Sequence, residues 1–327
     1  MTTPIGLVAF DGCIGSSVHA LADLFSVANT INYRMGGQEA LFETRVLTLD
    51  GAQVTASNGN LLASEGALIS ETDIEVLMVP GIGIEAVGEL DEVLTSMRPL
   101  VELLATKQDR RTITTASCTG TFLLAESGLL NGKQATTTWW LASAISERYP
   151  EIELRANEIL VDTGSVITSA AGTSYLDLAL HVIRRLTGSN LAHLCAKFMV
   201  VDGGRTSQRP YSIPWHFMSR DPLLEKTEAW VRDRLAEQIS VNALAEHLGM
   251  GARTLHRRFL RLGPHTPKAF IQEIRMQEAM RLLESTKQSV SEIGAKIGYG
   301  DENTFRLAFS TNVGTTPTQH RQRFHTN

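Results

Sequence analysis

The sequence predicts two domains of different class: an α/β domain with a mostly parallel sheet flanked by helices, then an all-α domain carrying two helix-turn-helix units. Three observations predict this. Short, near-continuous apolar runs alternate with helical patterns through the first two hundred residues, as in a parallel sheet buried on both faces. A segment rich in glycine, proline and polar residues then interrupts the pattern. Beyond it strand patterns vanish, and one helix–turn–helix plan occurs twice, about 50 residues apart.

In the first domain, residues 5–10, 45–49, 75–79, 112–116 and 166–169 read as strands. Residues 18–31, 91–106, 120–127 and 174–186 read as helices between them. Asp202-Gly-Gly-Arg-Thr-Ser-Gln-Arg-Pro210, followed by Pro214 and Pro222, marks the linker. The predicted organisation is therefore an α/β domain over 1–202, a linker over 203–222 and a helical domain over 223–327. The length of 327 residues suits two domains of ordinary size.

Composition narrows the function classes. Apolar residues make up 43 % and charged residues 20 %, as in a soluble globular chain. No apolar run approaches the roughly 18 residues that span a bilayer. The start, Met1-Thr-Thr-Pro-Ile5, lacks a basic region ahead of an apolar stretch, so no signal peptide and a cytoplasmic location are expected. The cysteines, Cys13, Cys118 and Cys195, are odd in number and widely spaced, which suits a reducing compartment rather than a disulfide framework. The nine histidines show no zinc spacing, so no metal is expected. Gly128-Leu-Leu-Asn-Gly-Lys133 has the wrong spacing for a phosphate loop, and Gly81-Ile-Gly83 is too short for a dinucleotide fingerprint, so no cofactor is expected. Residues 1–221 carry net charge −9 and residues 222–327 net +4. A basic tail on an acidic body points to a polyanion partner for the tail.

The helical domain justifies that partner. Val241, Leu244, Ala245 and Leu248 form an apolar stripe, Gly249-Met-Gly251 makes a turn, and a second helix runs over 252–262. Leu255, Phe259 and Leu262 lie on its inner face; Arg253, His256 and Arg257 share the opposite side. In the repeat, Val290, Ile293 and Ile297 form the stripe and Gly298-Tyr-Gly300 the turn. Asp301 is placed to cap a helix with Phe305 and Phe309 inward. Residues 267–284 read as one connecting helix. Such a helix fits the DNA major groove, and two can read successive grooves one helical turn apart.

Two stretches, Leu244-Ala-Glu-His-Leu-Gly-Met-Gly-Ala-Arg-Thr-Leu-His-Arg-Arg-Phe259 and Ile293-Gly-Ala-Lys-Ile-Gly-Tyr-Gly-Asp-Glu-Asn-Thr-Phe-Arg-Leu-Ala-Phe309, make this half resemble the AraC/XylS transcription regulators. Gly314-Thr-Thr-Pro-Thr-Gln-His-Arg-Gln-Arg-Phe324 also fits, and the resemblance covers about 223–324. By position it implies that Arg253, His256 and Arg257 face bases in the first unit, and Asn303, Thr304 and Leu307 in the second. Leu307 stands where a basic residue is common and can only touch a thymine methyl. Arg306 is expected at phosphate, and Gly294, in place of the usual alanine, should weaken its helix slightly.

In the first domain, Thr114-Thr-Ala-Ser-Cys118-Thr-Gly-Thr-Phe-Leu-Leu124 runs a strand directly into a helix with Cys118 at the turn. Small neighbours, Ala116 and Gly120, suit a strained elbow, and the helix N-terminus is expected to lower the thiol pKa. His181, on an apolar helix, reads as a satisfied core histidine. With Glu126-Ser-Gly-Leu-Leu-Asn-Gly-Lys-Gln-Ala-Thr-Thr-Thr-Trp139 and Thr168-Ser-Ala-Ala-Gly-Thr-Ser-Tyr-Leu-Asp-Leu-Ala-Leu-His181, the elbow resembles the PfpI type of the class I glutamine amidotransferase-like superfamily, over about 4–200.

The resemblance implies a base beside the thiol, yet the three partner positions hold Thr119, Ser17 and Thr138, none titratable. That implies a non-catalytic sensor. Its effector pocket would include Ser17, Gly81, Gly83, Cys118, Thr119, Thr138 and Trp139, with Trp139 and Trp140 offering an aromatic face to a cation. The combined resemblance implies a regulator, expected to activate. Its partners would be double-stranded DNA, RNA polymerase, a second copy in a homodimer and an amino-acid-derived or quaternary ammonium effector. Two other readings of Cys118 are a cysteine-dependent amidase or peptidase, and a redox sensor, each with a DNA-targeting domain.

Overall fold

The computed structural model describes residues 2–71, 73–84, 87–106, 112–211, 221–262 and 266–324. Contacts divide the chain into two units, between Gln208 and Arg209. The expected linker, 203–222, includes residues 212–220, which lie outside the described residues. Residues 205–208 are bonded into the first unit, Arg205 to Asp177 and Gln208 to Thr137 and Ala156.

The strands of the first unit are β1 (Thr3–Val8), β2 (Phe42–Thr48), β3 (Val54–Thr55), β4 (Leu61–Leu62), β5 (Gly66–Ala67), β6 (Val76–Val79), β7 (Ile113–Ser117), β8 (Gln134–Ala135), β9 (Glu153–Leu154), β10 (Leu160–Asp162) and β11 (Val166–Ser169). Its helices are α1 (Gly15–Arg34), α2 (Leu90–Ser96), α3 (Arg98–Thr106), α4 (Thr121–Glu126), α5 (Ala142–Arg148), α6 (Ser174–Thr187) and α7 (Ser189–Phe198). Seven strands form one sheet in the order β10-β11-β7-β6-β1-β2-β5, parallel except for β10 against β11. The apolar runs become its centre: β6 is buried at all four residues, and Ile5, Leu7 and Val8 of β1 are fully enclosed. Helix α1 turns Val18, Leu21, Leu24, Phe25, Ala28 and Ile31 inward, the 3.6-residue stripe of an element packed on a sheet.

Two local readings need correction. Residues 91–106 form two helices, not one, meeting at Met97. Pro99 explains the break: its ring would clash with the preceding turn, whereas it is tolerated in the first turn of α3. His181 is satisfied but not in the core. Its Nε2 meets Asp162 Oδ2 at 2.7 Å on a partly exposed surface, where Arg185 Nη1 also donates to Asp162. Burial opposes ionisation of Asp162, but the His181 bond, the Gly164 N–H and Arg185 outweigh it and hold the carboxyl below its usual range.

The second unit contains α8 (Pro222–Arg232), α9 (Val241–His247), α10 (Ala252–Leu262), α11 (Pro267–Ser285), α12 (Val290–Lys296), α13 (Glu302–Val313) and α14 (Pro317–Phe324). It has two cores. Leu224, Val231, Leu244, Leu255, Phe259, Phe270, Ile271 and Ile274 form one; Met276, Ala279, Leu282, Leu283, Ile293, Ile297, Phe305, Phe309 and Val313 form the other. Helix α11 supplies both, its first half to one and its second half to the other.

The repeat extends to the turns. Gly249 and Gly298 have φ of 66° and 88°, and Met250 and Tyr299 donate back to Ala245 and Gly294 at 3.0 and 2.9 Å. Each first helix thus ends on a left-handed glycine that satisfies its last carbonyls. Gly294 has a packing reason that its low helix propensity conceals. A Cβ there would stand 3.1–3.2 Å from three atoms of Phe305, a fully buried ring.

Gly298 and Gly300 make a paired test of this turn. A Cβ on Gly298 would meet the Leu235 carbonyl oxygen at 2.5 Å, at a φ that side chains resist; around Gly300 there is open space. Gly298→Ala should cost more than about 1 kcal/mol in urea unfolding, and Gly300→Ala should leave stability unchanged. Equal effects would contradict the turn geometry.

Candidate functional site

The strand order places β1 between β6 and β2, so the chain leaves β1 to one side and returns on the other. Open α/β sheets bind ligands at the carboxyl ends of strands at such a switch point. Here three loops meet. After β1, Ile14 N donates to Gly81 O at 2.9 Å, and Gly83 N donates to Gly12 O at 2.8 Å. After β7, Cys118 turns sharply with φ of 55° before α4. A Cβ on Gly81 would lie 2.9 Å from Ile14 Cδ1, 3.0 Å from Thr119 Oγ1 and 3.3 Å from Cys118 Cβ, so Gly81 sits where all three loops converge.

The elbow is held by its neighbours. A Cβ on Gly120 would fall within contact distance of the Pro80 carbonyl oxygen, so only glycine permits this approach. Thr119 Oγ1 donates to Ile82 O at 2.7 Å and accepts from Ile82 N at 2.5 Å. The residue after the cysteine is therefore a strut between β7 and the β6 loop rather than a catalytic partner. Cys118 N donates to Ala170 O, and Thr137 Oγ1 donates to Cys118 O at 2.9 Å.

The sulfur is faced by the Thr119 and Gly172 N–H groups and by the Thr119 and Thr138 hydroxyls. Thr138 is fully buried, and its Oγ1 has no oxygen or nitrogen partner. Cys118 is 9 % exposed. Burial pushes its thiol above the ordinary range, and the surrounding donors do not offset this. The expectation of a lowered pKa is therefore corrected: desolvation outweighs the helix N-terminus.

The other expected pocket residues are placed as follows. Ser17 is buried at the start of α1, and its hydroxyl donates to Ile14 O at 2.7 Å. Gly83 is exposed, with its N–H already used by Gly12. Trp139 and Trp140 are half-buried in one helical turn after Thr138, and Trp140 packs against the core. Sequence reasoning missed Thr137, Gly172 and Gln208. The run Thr136-Thr137-Thr138 could have signalled the first; Gly172 acts through its own backbone N–H, and the Gln208 carboxamide binds backbone atoms far away in the chain.

In the second unit, α10 leaves Arg253, His256 and Arg257 exposed while burying Leu255 and Phe259. Neither arginine forms an ion pair among the described residues. On α13, Asp301 Oδ1 accepts from Thr304 N at 2.9 Å, which fixes the helix start. Asn303, Thr304 and Leu307 face outward, and Leu307 is 71 % exposed. Arg306 is half-exposed and paired with Glu302 at 2.6 Å. Helix α11 has 19 residues, a span of about 28 Å, comparable to the roughly 34 Å between successive major grooves.

Two helix-turn-helix units joined to an α/β domain, whose reactive-looking turn has no titratable base among its described neighbours, define a DNA-binding transcription regulator controlled by an effector. The chain belongs to the DJ-1/PfpI family, whose model matches residues 22–185, and its second unit is an AraC-type domain, matched over 244–323 as a helix-turn-helix domain. Among known proteins it is similar to the HTH-type transcriptional regulator GbdR of Pseudomonas aeruginosa, 26 % identical over 321 residues, covering 97 % of this chain and 84 % of that one. CdhR of the same organism, also named an HTH-type transcriptional regulator, is 28 % identical over 286 residues, 86 % of this chain and 82 % of its own. A crystal structure of a putative transcriptional regulator from Vibrio parahaemolyticus shares the fold, with a TM-score of 0.52 and 20 % identity over 61 % of this chain and all of that one. Both of these relatives are named as transcriptional regulators.

A thiol held protonated should react slowly. N-ethylmaleimide should modify Cys118 in the folded protein at pH 7.5 more slowly than it modifies a free cysteine peptide. A native state that keeps its thiols protonated should also lose stability as pH rises through and above the ordinary thiol range. Faster modification of Cys118 than of the peptide would contradict this site description.

Proposed function

We propose that the two recognition helices read specific promoter sequence, with Arg253, His256 and Arg257 facing bases in one major groove and Asn303, Thr304 and Leu307 in the next. Arg306, held by Glu302, is directed to phosphate. The observation that carries this reading is the repeat: two helices with matching turn glycines and exposed polar faces, on separate cores along one rigid helix. The surplus of Arg and Lys beyond residue 221 adds attraction to the polyanion.

The Cys118 elbow is the effector site in this reading, bounded by Gly81, Cys118, Thr119 and Thr138, with Ser17 at the start of α1, Gly83 on the adjoining loop and Trp139 at its edge. The Thr138 hydroxyl, which faces the sulfur and has no oxygen or nitrogen partner, supports a polar ligand, and Trp139 supports a cationic one. An amino-acid-derived or quaternary ammonium metabolite combines both properties. The output is activation through RNA polymerase by a cytoplasmic homodimer. A relative over 32 % of this chain, RhaS of Enterobacter, is named an activator. No helix among the described residues is long and apolar enough to cross a membrane.

Two substitutions test the reading. Arg257→Ala should cost about 1–3 kcal/mol on a selected duplex and much less on random DNA of equal length; equal losses would reject base reading by Arg257. For the pocket, a panel of free amino acids and trimethylammonium carboxylates is screened by thermal melting. A ligand at a hundredfold excess over its Kd should stabilise the wild type by about 2.7 kcal/mol, and Thr138→Val should remove most of that. Binding unaffected by Thr138→Val would move the effector site elsewhere.

A further inference from the structure

The two helix-turn-helix units meet across the middle of α11. The loop 233–240, which leads into α9, belongs to the first of them: Leu235 packs on its core and Ser240 caps α9. The turn Gly298-Tyr-Gly300 belongs to the second. There the Tyr299 ring lies 5.5 Å from that of Phe305, the fully buried anchor of α13. A Cβ on Gly298 would stand 2.5 Å from the Leu235 carbonyl oxygen, so loop and turn are in direct contact.

Two side chains of α11 key this contact. Arg275 Nη2 donates to the Glu237 carbonyl at 2.5 Å, in the loop of the first helix-turn-helix. The same Nη2 and the Cζ would lie 2.8 and 3.2 Å from a Cβ on Gly298, so the guanidinium also rests on the turn of the second. One helical turn earlier, Gln272 donates to the Tyr299 hydroxyl. Gln272 follows Ile271 in the half of α11 that serves the first core, so its bond crosses the seam as well. The arginine is held there at a cost. Its Nε is buried with no hydrogen-bond partner, and no acidic side chain pairs with it among the described residues. Burial also pulls its pKa below the usual arginine range. Among the described residues the two apolar cores have no member in common, so the seam adds a link that neither core provides.

We propose that Arg275, assisted by Gln272, is a positioning residue that fixes how the second helix-turn-helix sits against the first, and so the orientation of α13 relative to α10. The proposal deepens the reading in which both helices enter successive grooves, and its use on DNA rests on that reading. Simultaneous engagement of two grooves requires the helices to be held in one relative orientation, and avidity is lost when geometry forbids it.

Spin labels on Arg258→Cys and Leu307→Cys, both exposed positions, report the α10–α13 distance in the full chain without DNA, where the native cysteines are all buried. Labelled protein is diluted with unlabelled protein so that only distances within one chain are read. The parent should give one narrow distribution. Arg275→Met keeps the stem but loses the donor, Tyr299→Phe keeps the ring on Phe305 but loses the hydroxyl, and each should broaden or shift the distribution. Unlabelled proteins are then compared on the selected duplex and on one with a base pair added between the half-sites, a change of about a tenth of a helical turn. The addition should weaken the wild type roughly tenfold and the variants by no more than roughly threefold. Unchanged distance distributions in both variants would overturn the proposal. So would broadening found only together with lost helical circular dichroism, since that marks a structural role alone. A wild type with a narrow distribution but no preference for spacing would instead remove the two-groove reading and leave the positioning result standing.

Discussion

The close approach of Gly120 to the Pro80 carbonyl is the contact on which the first unit's site depends. It lets β7 run into α4 hard against the end of β6 and turns Cys118 into a left-handed conformation that a side chain adopts only under constraint. Thr119 then bonds both the N–H and the carbonyl of Ile82, and the β6 loop in turn bonds the loop after β1. In a catalytic elbow such strain presents a nucleophile to a base. Here the surroundings are backbone N–H groups and hydroxyls, and burial keeps the thiol protonated. With no titratable base among the described neighbours, the same geometry is an elbow lined by polar groups, which suits recognition rather than turnover.

The second unit solves a different problem. A single helix-turn-helix has little apolar surface to bury, so each unit borrows half of α11. Phe270, Ile271 and Ile274 close one core, and Met276, Ala279, Leu282 and Leu283 close the other. Sharing one helix stabilises both units and fixes the spacing between α10 and α13. In the proposed reading, affinity from two grooves then depends on a separation set by the length of α11 rather than by a flexible linker.

Much of this was legible in the sequence, for identifiable reasons. Buried parallel strands are continuous apolar runs, so β1, β2, β6, β7 and β11 were found to within a few residues. The turn glycines Gly249 and Gly298 and the cap Asp301 announce themselves because few residues tolerate those positions. Other features depend on what folding brings together. Pro99 was present to be read, but the continuous apolar stripe on either side of it concealed the break at Met97. The direction of the Cys118 shift turned on desolvation, which no local pattern reveals. His181 looked like a core residue on its apolar helix until Asp162 arrived from β10. Gln208 carried no signal at all, because its partners are backbone atoms of Thr137, Ala156, Asn157 and Ala171, far away in the chain.

The central claim is that one chain holds two recognition helices on successive major grooves of the same face of DNA. Methylation interference on a duplex selected by the full-length protein tests it most directly. The account predicts two clusters of interfering purines, centred about 10–10.5 base pairs apart, with the cluster facing Arg257 weakened in Arg257→Ala and the other retained. A single cluster, or selection that yields no preferred sequence at all, would contradict it.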